Sequence, residues 1–378
     1  MHRRVAIVFL LAVSLCLQAQ YKVTFRITRL PSYHPSNSTI YLAGTFNNWN
    51  PAQKEANFEK DTQSGYTLSL LMPKGTYEYK LTRGAWDKVE CTQNGIAIDN
   101  RRVEILSDTL FDIEVMAWAD HFHYEAKKHT ANKNVHILDT AFYIPQLKRH
   151  RRIWIYLPEG YATSKKKYPV LYLQDGQNVF DEATSYAGEW GVDETLDTLE
   201  KTIGEMIVVA IDNGGEKRIN EYSPFDIKQY GKGEGDKYVN FLVKTLRPYL
   251  VKRYRILKWG RHHYIAGSSM GGLISFYALL KYPKKFGGAG VFSPAFWITP
   301  QLKEWIPSKA KKIKGKIYFY AGMREGTRTV SEMLQVFELM AKYSEAKMTA
   351  VIRSEGQHNE AAWRHEFPLF YQWLWHPL

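Results

Sequence analysis

The chain has 378 residues, 45% of them hydrophobic and 24% charged, which is enough for two domains with separate cores. Its formal charge of +13 raises the question of an anionic partner, but no nucleic-acid-binding motif, internal repeat or low-complexity segment is present. Beyond the amino terminus no segment is apolar enough to span a bilayer, which argues against an integral helical membrane protein.

The first residues read as an export signal. His2-Arg3-Arg4 forms a positive start, Val5 to Leu17 is apolar, and Leu17-Gln18-Ala19 offers a cleavage site, so residues 1–19 are expected to be a signal peptide. Cys16 raises a lipid-anchored alternative, but Leu15 before it fits a lipid-attachment box poorly. The expected location is periplasmic or extracellular. Removal of the peptide leaves Cys91 as the one cysteine, so no internal disulfide is expected.

Residues 20–118 alternate short strand-like runs with turns. Tyr21–Ile27, Ile40–Gly44, Tyr66–Leu70 and Tyr77–Leu81 show period-2 patterning broken by Asn, Pro and Gly, which predicts a small antiparallel β-sandwich. Phe46-Asn47-Asn48-Trp49-Asn50-Pro51, Tyr79-Lys80 and Gly84-Ala85-Trp86 resemble starch- or glycogen-binding modules of the immunoglobulin-like type. The resemblance implies a sugar platform of Trp49 and Trp86 with Lys80 and Asn100 bonding hydroxyls. Core or interdomain packing of the two tryptophans is the competing reading. Residues 119–140 read as a polar linker. His121 and His123 have the spacing of metal ligands on a strand, but no third ligand accompanies them, so no metal site is expected.

Residues 141–378 carry the chemistry. The basic clusters Lys148-Arg149-His150-Arg151-Arg152 and Lys165-Lys166-Lys167 read as solubilising surface. Val170–Leu173 is an apolar strand opening into Gln174-Asp175-Gly176-Gln177-Asn178. Gly176 lets the backbone turn so that the Gln177 N–H can serve an oxyanion; an ordinary Asp-Gly turn is the alternative, and the carboxylate spacing of a calcium loop is missing. Tyr264-Ile265-Ala266-Gly267-Ser268-Ser269-Met270-Gly271-Gly272 then runs from an apolar strand into a Gly-x-Ser-x-Gly turn before a helix-forming stretch, Leu273–Leu280. A strand-to-helix elbow of this kind exposes a strained serine, Ser269, and aims the N–H of the next residue, Met270, at the same point. His262 and His263, just before the strand, read as structural or rim residues.

In folds with such an elbow the acid and then the histidine follow the serine in the chain. No aspartate follows Ser269, so the acid must be a glutamate. Glu325, in Gly322-Met323-Arg324-Glu325-Gly326 after the strand Ile317–Ala321, is the favoured candidate. Glu332 and Glu338 lie in a helical stretch, and Glu355 lies in the histidine's own loop. His358, in a polar loop after the strand Met348–Arg353, is preferred to His365 and His376.

Arg152–Pro158, Tyr168–Leu173, the Asp175–Asn178 turn, Gly267–Gly272 and His358–Trp363 resemble the esterase D / enterochelin-esterase-like α/β hydrolases over roughly residues 130 to 378. This group includes feruloyl esterases, acetylxylan esterases and siderophore-ester hydrolases. The resemblance implies an α/β class protein, an α/β-hydrolase fold preceded by the sandwich, with Ser269 as nucleophile, His358 as base and an acid in the Gly322–Gly326 turn. That turn often holds aspartate in the family, so glutamate is a departure. The resemblance also implies a substrate rim at Glu189, Trp190 and Arg218, with a structural ion pair as the alternative. The expected molecule is an exported serine esterase that needs no cofactor and acts on a small-molecule or polysaccharide ester. A siderophore esterase is the rival within that class, and a non-catalytic glycan-binding protein is the rival outside it.

Overall fold

The computed structural model describes residues 20–61, 65–122 and 127–375. The chain divides into two compact units, residues 1–125 and 126–378. The expected signal peptide, Cys16, His123 and His376 lie outside the described residues.

The first unit is β-rich. A four-stranded sheet has the spatial order Glu59–Asp61, Gly65–Pro73, Gln20–Arg29, Thr109–Glu114, and a three-stranded sheet has the order Tyr41–Gly44, Gly75–Thr82, Arg101–Ile105. The alternation in Gln20–Arg29 has the physical basis expected: Val23, Phe25 and Ile27 point to one side, where they meet Leu42, Tyr79, Leu81 and Ile105 from the other sheet. One pairing departs from the all-antiparallel expectation. Gln20–Arg29 and Thr109–Glu114 run parallel, from Val23 opposite Thr109 to Ile27 opposite Ile113. Period-2 patterning is the same in both directions, so it carries no information on strand polarity. Residues 117–118 pair with 90–91, and the turn Ala119–His121 continues from them, so the start of the expected linker belongs to this unit.

The second unit is built on one eight-stranded sheet: β1 (Val135–Ile144), β2 (Arg149–Tyr156), β3 (Val170–Gln174), β4 (Ile207–Ile211), β5 (His263–Ser268), β6 (Gly288–Phe292), β7 (Lys316–Gly322) and β8 (Lys347–Arg353). The spatial order is β1-β2-β4-β3-β5-β6-β7-β8; β1, β2 and β4 pair antiparallel, and all later neighbours pair parallel. Because β1 starts at Val135, the first sheet strand lies mostly within residues expected to be linker. Helices cross between the parallel strands, among them Val192–Leu199, Met270–Lys281 and Thr327–Tyr343, and the final helix Glu360–Trp375 follows β8. This is the open α/β sheet that the elbow implied.

The central strands read as unbroken apolar runs because both faces of the sheet are covered. Val170 and Tyr172 enter one core with Leu273, Phe276 and Val336, whereas Leu171 and Leu173 enter the other with Val192, Leu196 and Phe367. Phe370 is fully buried in this second core, edge-on to Phe292 at 5.5 Å between ring centres and to Tyr318 at 5.5 Å. Phe370→Ala is expected to destabilise the second unit by about 3–5 kcal/mol, read from its denaturant transition, because the cavity cannot close against the sheet.

The basic cluster that opens β2 is not loose surface charge. Arg149 and Arg151 both bind the fully buried Glu221 carboxylate, Arg149 also binds Glu234, and Arg152 binds Asp212 at 2.8 Å. These pairs tie β2 to the loops after β4, which the composition alone could not reveal.

Candidate active site

The expected elbow is present. Ser269 has φ 56° and ψ −119° between the end of β5 and the helix Met270–Lys281, a left-handed backbone that a non-glycine residue holds only under constraint. Its N–H donates to Phe292 O at 2.9 Å, and its carbonyl accepts from Ala295 N at 3.1 Å, so the loop after β6 pins it. The flanking glycines are required by close approach. A Cβ on Gly267 would lie 2.9 Å from the Gln174 side chain, and one on Gly272 would lie 2.9 Å from Phe292 O.

Met270 is the first residue of this helix, so its N–H has no partner within the helix and sits at the positive end of the helix dipole. Directly after the neighbouring strand β3, Asp175 adopts φ 56°, and a turn of Gly176–Asn178 follows. Gly176 has no room for a side chain: a Cβ would meet the backbone of Ile211 at 2.7 Å. The N–H groups of Asn178 and Val179 return to Asp175 and Gly176, leaving that of Gln177 outside the turn's own bonds.

The acid and the histidine meet. Glu325 lies in the short turn after β7 and its side chain is fully buried. One oxygen accepts from the Gly322 N–H at 2.7 Å and from the Ser293 hydroxyl at 2.6 Å; the other faces His358 Nδ1 at 2.9 Å. A carboxylate only accepts, so Nδ1 carries the proton and Nε2 keeps its lone pair. The imidazole is partly exposed and rests edge-on against Trp363, with 5.1 Å between ring centres. The competing groups are elsewhere. Glu355 pairs with Arg324 on the surface, Glu332 binds Lys303, Glu338 is exposed, and His365 is an exposed helix residue.

Two contributors were missed by sequence reasoning. Ser293, fully buried and at φ 43°, bridges Trp363 Nε1–H, which donates to its Oγ at 2.9 Å, to the Glu325 carboxylate. A Ser-Pro after an apolar strand and a tryptophan five residues after a histidine give no local signal of this. Glu360 opens the final helix and accepts from Asn178 Nδ2 at 3.1 Å; burial, with the Asp175 charge nearby, raises its pKa.

The expected rim separates into different roles. Trp190 is 5% exposed and packs on Phe292, Trp363 and Phe367, so it is core. Glu189 is equally buried and held by Arg364 and Thr130, the structural ion pair that was the alternative. Arg218 grips both Asp175 oxygens, at 2.6 and 2.8 Å, and Asn213 bonds one of them as well. Burial would lower the Arg218 pKa, but the Asp175 charge outweighs it and raises it. This clamp fixes the turn that carries Gln177, and it occupies the carboxylate that a calcium ion would have needed.

His263 is fully buried between Leu257 O and the Tyr172 hydroxyl, and burial pushes its pKa down to about 3, so it is a neutral structural group. His121 stacks on Tyr33, and among the described residues no His, Cys, Asp and Glu groups assemble as metal ligands. The Cys91 thiol is buried and unpaired.

In the first unit, Trp49 and Trp86 are neither core residues nor isolated. Both are partly exposed, their ring centres are 6.2 Å apart, and their planes are inclined by 45°. The core tryptophan of this unit is Trp118 instead. Lys80 lies on the strand Gly75–Thr82, and burial lowers its pKa. Asn100 is exposed and bonds Glu78 at 3.1 Å.

Residues 144–373 match the putative esterase family over more than half of the chain. The chain belongs to the putative esterase family. It is a carboxylic ester hydrolase with an α/β-hydrolase fold. Residues 37–110 match the pullulanase X25 domain. The esterase is 26% identical over 185 residues to an uncharacterized protein of Bacillus subtilis, YbbA, covering 47% of this chain and 70% of that one. It is 25% identical over 222 residues to an endo-1,4-beta-xylanase/feruloyl esterase of Xylanibacter ruminicola, covering 56% of this chain but 27% of the relative. Among solved structures, the enterobactin esterase of Shigella flexneri superposes with a TM-score of 0.55 at 14% identity, over 94% of this chain and 92% of that one, a likeness of fold. No helix among the described residues of the esterase is long and apolar enough to cross a membrane.

Ser293→Ala is expected to lower kcat of the esterase about 10- to 100-fold with KM little changed, because a hydrogen bond to a buried carboxylate is lost. Trp363→Phe, which keeps the packing and removes only the donor to Ser293, is expected to give a smaller loss in the same sense. Steady-state kinetics on a soluble ester checks both.

Proposed function

We propose that this chain is an exported serine esterase in which Ser269 is the nucleophile, His358 the general base and Glu325 the acid. The observation that carries this reading is the pairing of His358 with the buried Glu325 carboxylate, following a serine held in a strained elbow. Ser269 attacks the ester carbonyl, and His358 Nε2 accepts the hydroxyl proton. Negative charge grows on the carbonyl oxygen, and the Met270 and Gln177 N–H groups stabilise it. His358 then hands the proton to the leaving alcohol, and water repeats the sequence to free the acid. Glu325 holds the imidazole in the Nδ1–H tautomer and balances its charge when it is protonated.

Ser269→Ala and His358→Ala are each expected to lower kcat on the order of 10⁵- to 10⁶-fold, since the two act as one unit. Glu325→Gln is expected to cost about 10⁴-fold by presenting the wrong tautomer. A fluorophosphonate probe should label the wild type at Ser269, read by peptide mass spectrometry. Labelling elsewhere, or wild-type turnover by Ser269→Ala, would sink the assignment.

For the substrate we favour acyl esters on polysaccharide, acetyl or feruloyl. Three features support this reading. A relative named as a xylanase/feruloyl esterase aligns with the catalytic unit. The front unit matches an X25 domain, and we read it as an immunoglobulin-like sandwich whose Trp49–Trp86 pair presents apolar faces to sugar rings. Tyr186 and Trp297, exposed on loops after β3 and β6, suit an aromatic or glycosidic ester. The whole-chain likeness to an enterobactin esterase favours a siderophore ester as the second reading. Hydrolysis of methyl ferulate, acetylated xylan and a catecholate siderophore ester, compared side by side, separates the two. In the full chain, Trp49→Ala and Trp86→Ala are each expected to weaken binding to a soluble glucan about tenfold in calorimetry, with turnover of p-nitrophenyl acetate unchanged. Export follows from the charged and apolar start of the chain, and secretion of the full-length protein with loss of residues 1–19 tests it.

A further inference from the structure

A second surface lies at the edge of the sheet opposite Ser269. In a parallel sheet all strands enter at one edge and leave at the other. The side chains described above leave from β3, β5, β6, β7 and β8, roughly 20 Å from where β5 begins, at about 3.3 Å per residue. The segments that enter β5, β6 and β7 are residues 254–262, 281–287 and 309–315. They carry ten lysines and arginines and neither aspartate nor glutamate. Because β5, β6 and β7 are neighbours, the sheet gathers these segments into one surface.

The backbone holds them in contact. A Cβ on Gly260 would lie 2.1 Å from Lys284 O, one on Gly287 would lie 2.4 Å from Arg261 O, and one on Gly315 would lie 2.1 Å from Gly287 O. Buried Arg247 draws two of the segments together, donating to Lys258 O and to Lys285 O at 2.7 Å each. With those carbonyls turned inward, Lys258, Lys284 and Lys285 face solvent, as do Arg261, Lys309 and Lys311. Lys312 and Lys314 are exposed too, and of these eight Lys314 alone pairs with a carboxylate, Glu345, among the described residues. Trp259 stands among them with 72% of its surface exposed.

We propose that this surface docks the protein on an anionic lipid bilayer. Seven of the eight exposed cations are lysines, compact point charges that need no fixed geometry in the partner and so suit fluid phosphate headgroups. An exposed indole among lysines matches the chemistry of the headgroup layer, where aromatic rings and ammonium groups sit together. Recognition of sugar hydroxyls would call for acceptors as well as donors, and the three segments hold no carboxylate. Docking there turns the opposite edge, with Ser269, away from the membrane and towards substrate. The inference is independent of which ester is cleaved.

The test is co-sedimentation of the full chain with phosphatidylcholine vesicles, with and without phosphatidylglycerol. The protein is expected to bind only the anionic vesicles and to be released as salt shortens the screening length from about 10 Å at 0.1 M to about 3 Å at 1 M. Combined Lys284→Glu, Lys285→Glu, Lys311→Glu and Lys312→Glu should lower partitioning at least about a hundredfold. Turnover of p-nitrophenyl acetate should stay unchanged, which also reports that the variant is folded. The matching Lys→Gln set should give an intermediate loss. Emission lost in Trp259→Phe should shift to shorter wavelength when the wild type binds vesicles. Equal binding to neutral vesicles, no binding to anionic ones, or undiminished binding by the Lys→Glu set would overturn the proposal. So would charge-dependent binding to polygalacturonate without binding to vesicles, which would make the surface a polysaccharide site.

Discussion

A fully buried carboxylate is costly unless its lone pairs are met, and the catalytic unit is arranged around meeting those of Glu325. The donors come from three strand ends: Gly322 N–H from β7, Ser293 from the loop after β6, and His358 from the loop after β8. Each is in place only if those strands keep their register. Gly322 and Gly356 add a backbone contact so close that a Cβ on Gly322 would lie 2.1 Å from Gly356 O, and this fixes the two loops against each other. The same requirement explains how a glutamate can stand where shorter acids are usual in the family it resembles. The longer side chain curls back onto its own turn through Gly322, and the Ser293 hydroxyl fixes the oxygen that does not face the histidine.

Strain gathers at the same edge. Asp175, Ser269 and Ser293 follow the carboxyl ends of β3, β5 and β6, and all three are non-glycine residues at positive φ. Each is held by a specific bond: Asp175 by Arg218, Ser269 by Phe292 O, and Ser293 by Tyr320 O. Such backbone persists only where the surroundings over-determine it. The central strands supply that rigidity, because their residues alternate between two separate cores and neither face is free to relax.

Much of this was legible in the chain. The Gly-x-Ser-x-Gly frame named Ser269, the absence of later aspartates restricted the acid, and strand-end loops singled out Glu325 and His358, which do form a pair. The fold class was implied by the strand-to-helix elbow and by the resemblance to esterase D-like hydrolases. What stayed hidden depended on tertiary contact. Nothing local marks Ser293 and Trp363 as partners 70 residues apart. Family likeness placed Trp190 at the rim, but the final helix covers it. The Lys148–Arg152 run looked like free charge because its carboxylate partners lie 60 to 85 residues away. In the front unit, alternation revealed the strands but not that Gln20–Arg29 and Thr109–Glu114 run parallel.

The position of β8 has a kinetic consequence. It is an edge strand, bonded to β7 on one side only, and its residues are half-exposed along much of its length. Outside the sheet it is tied to the final helix through Arg353 and Glu366. Edge elements with one paired side open at lower free energy than the strands between them. His358 rides on the loop that β8 delivers, so a local opening of this strand separates imidazole from carboxylate while both cores remain packed. Under the proposed role of His358, heating is expected to remove activity through the fraying of this one strand before the cores melt.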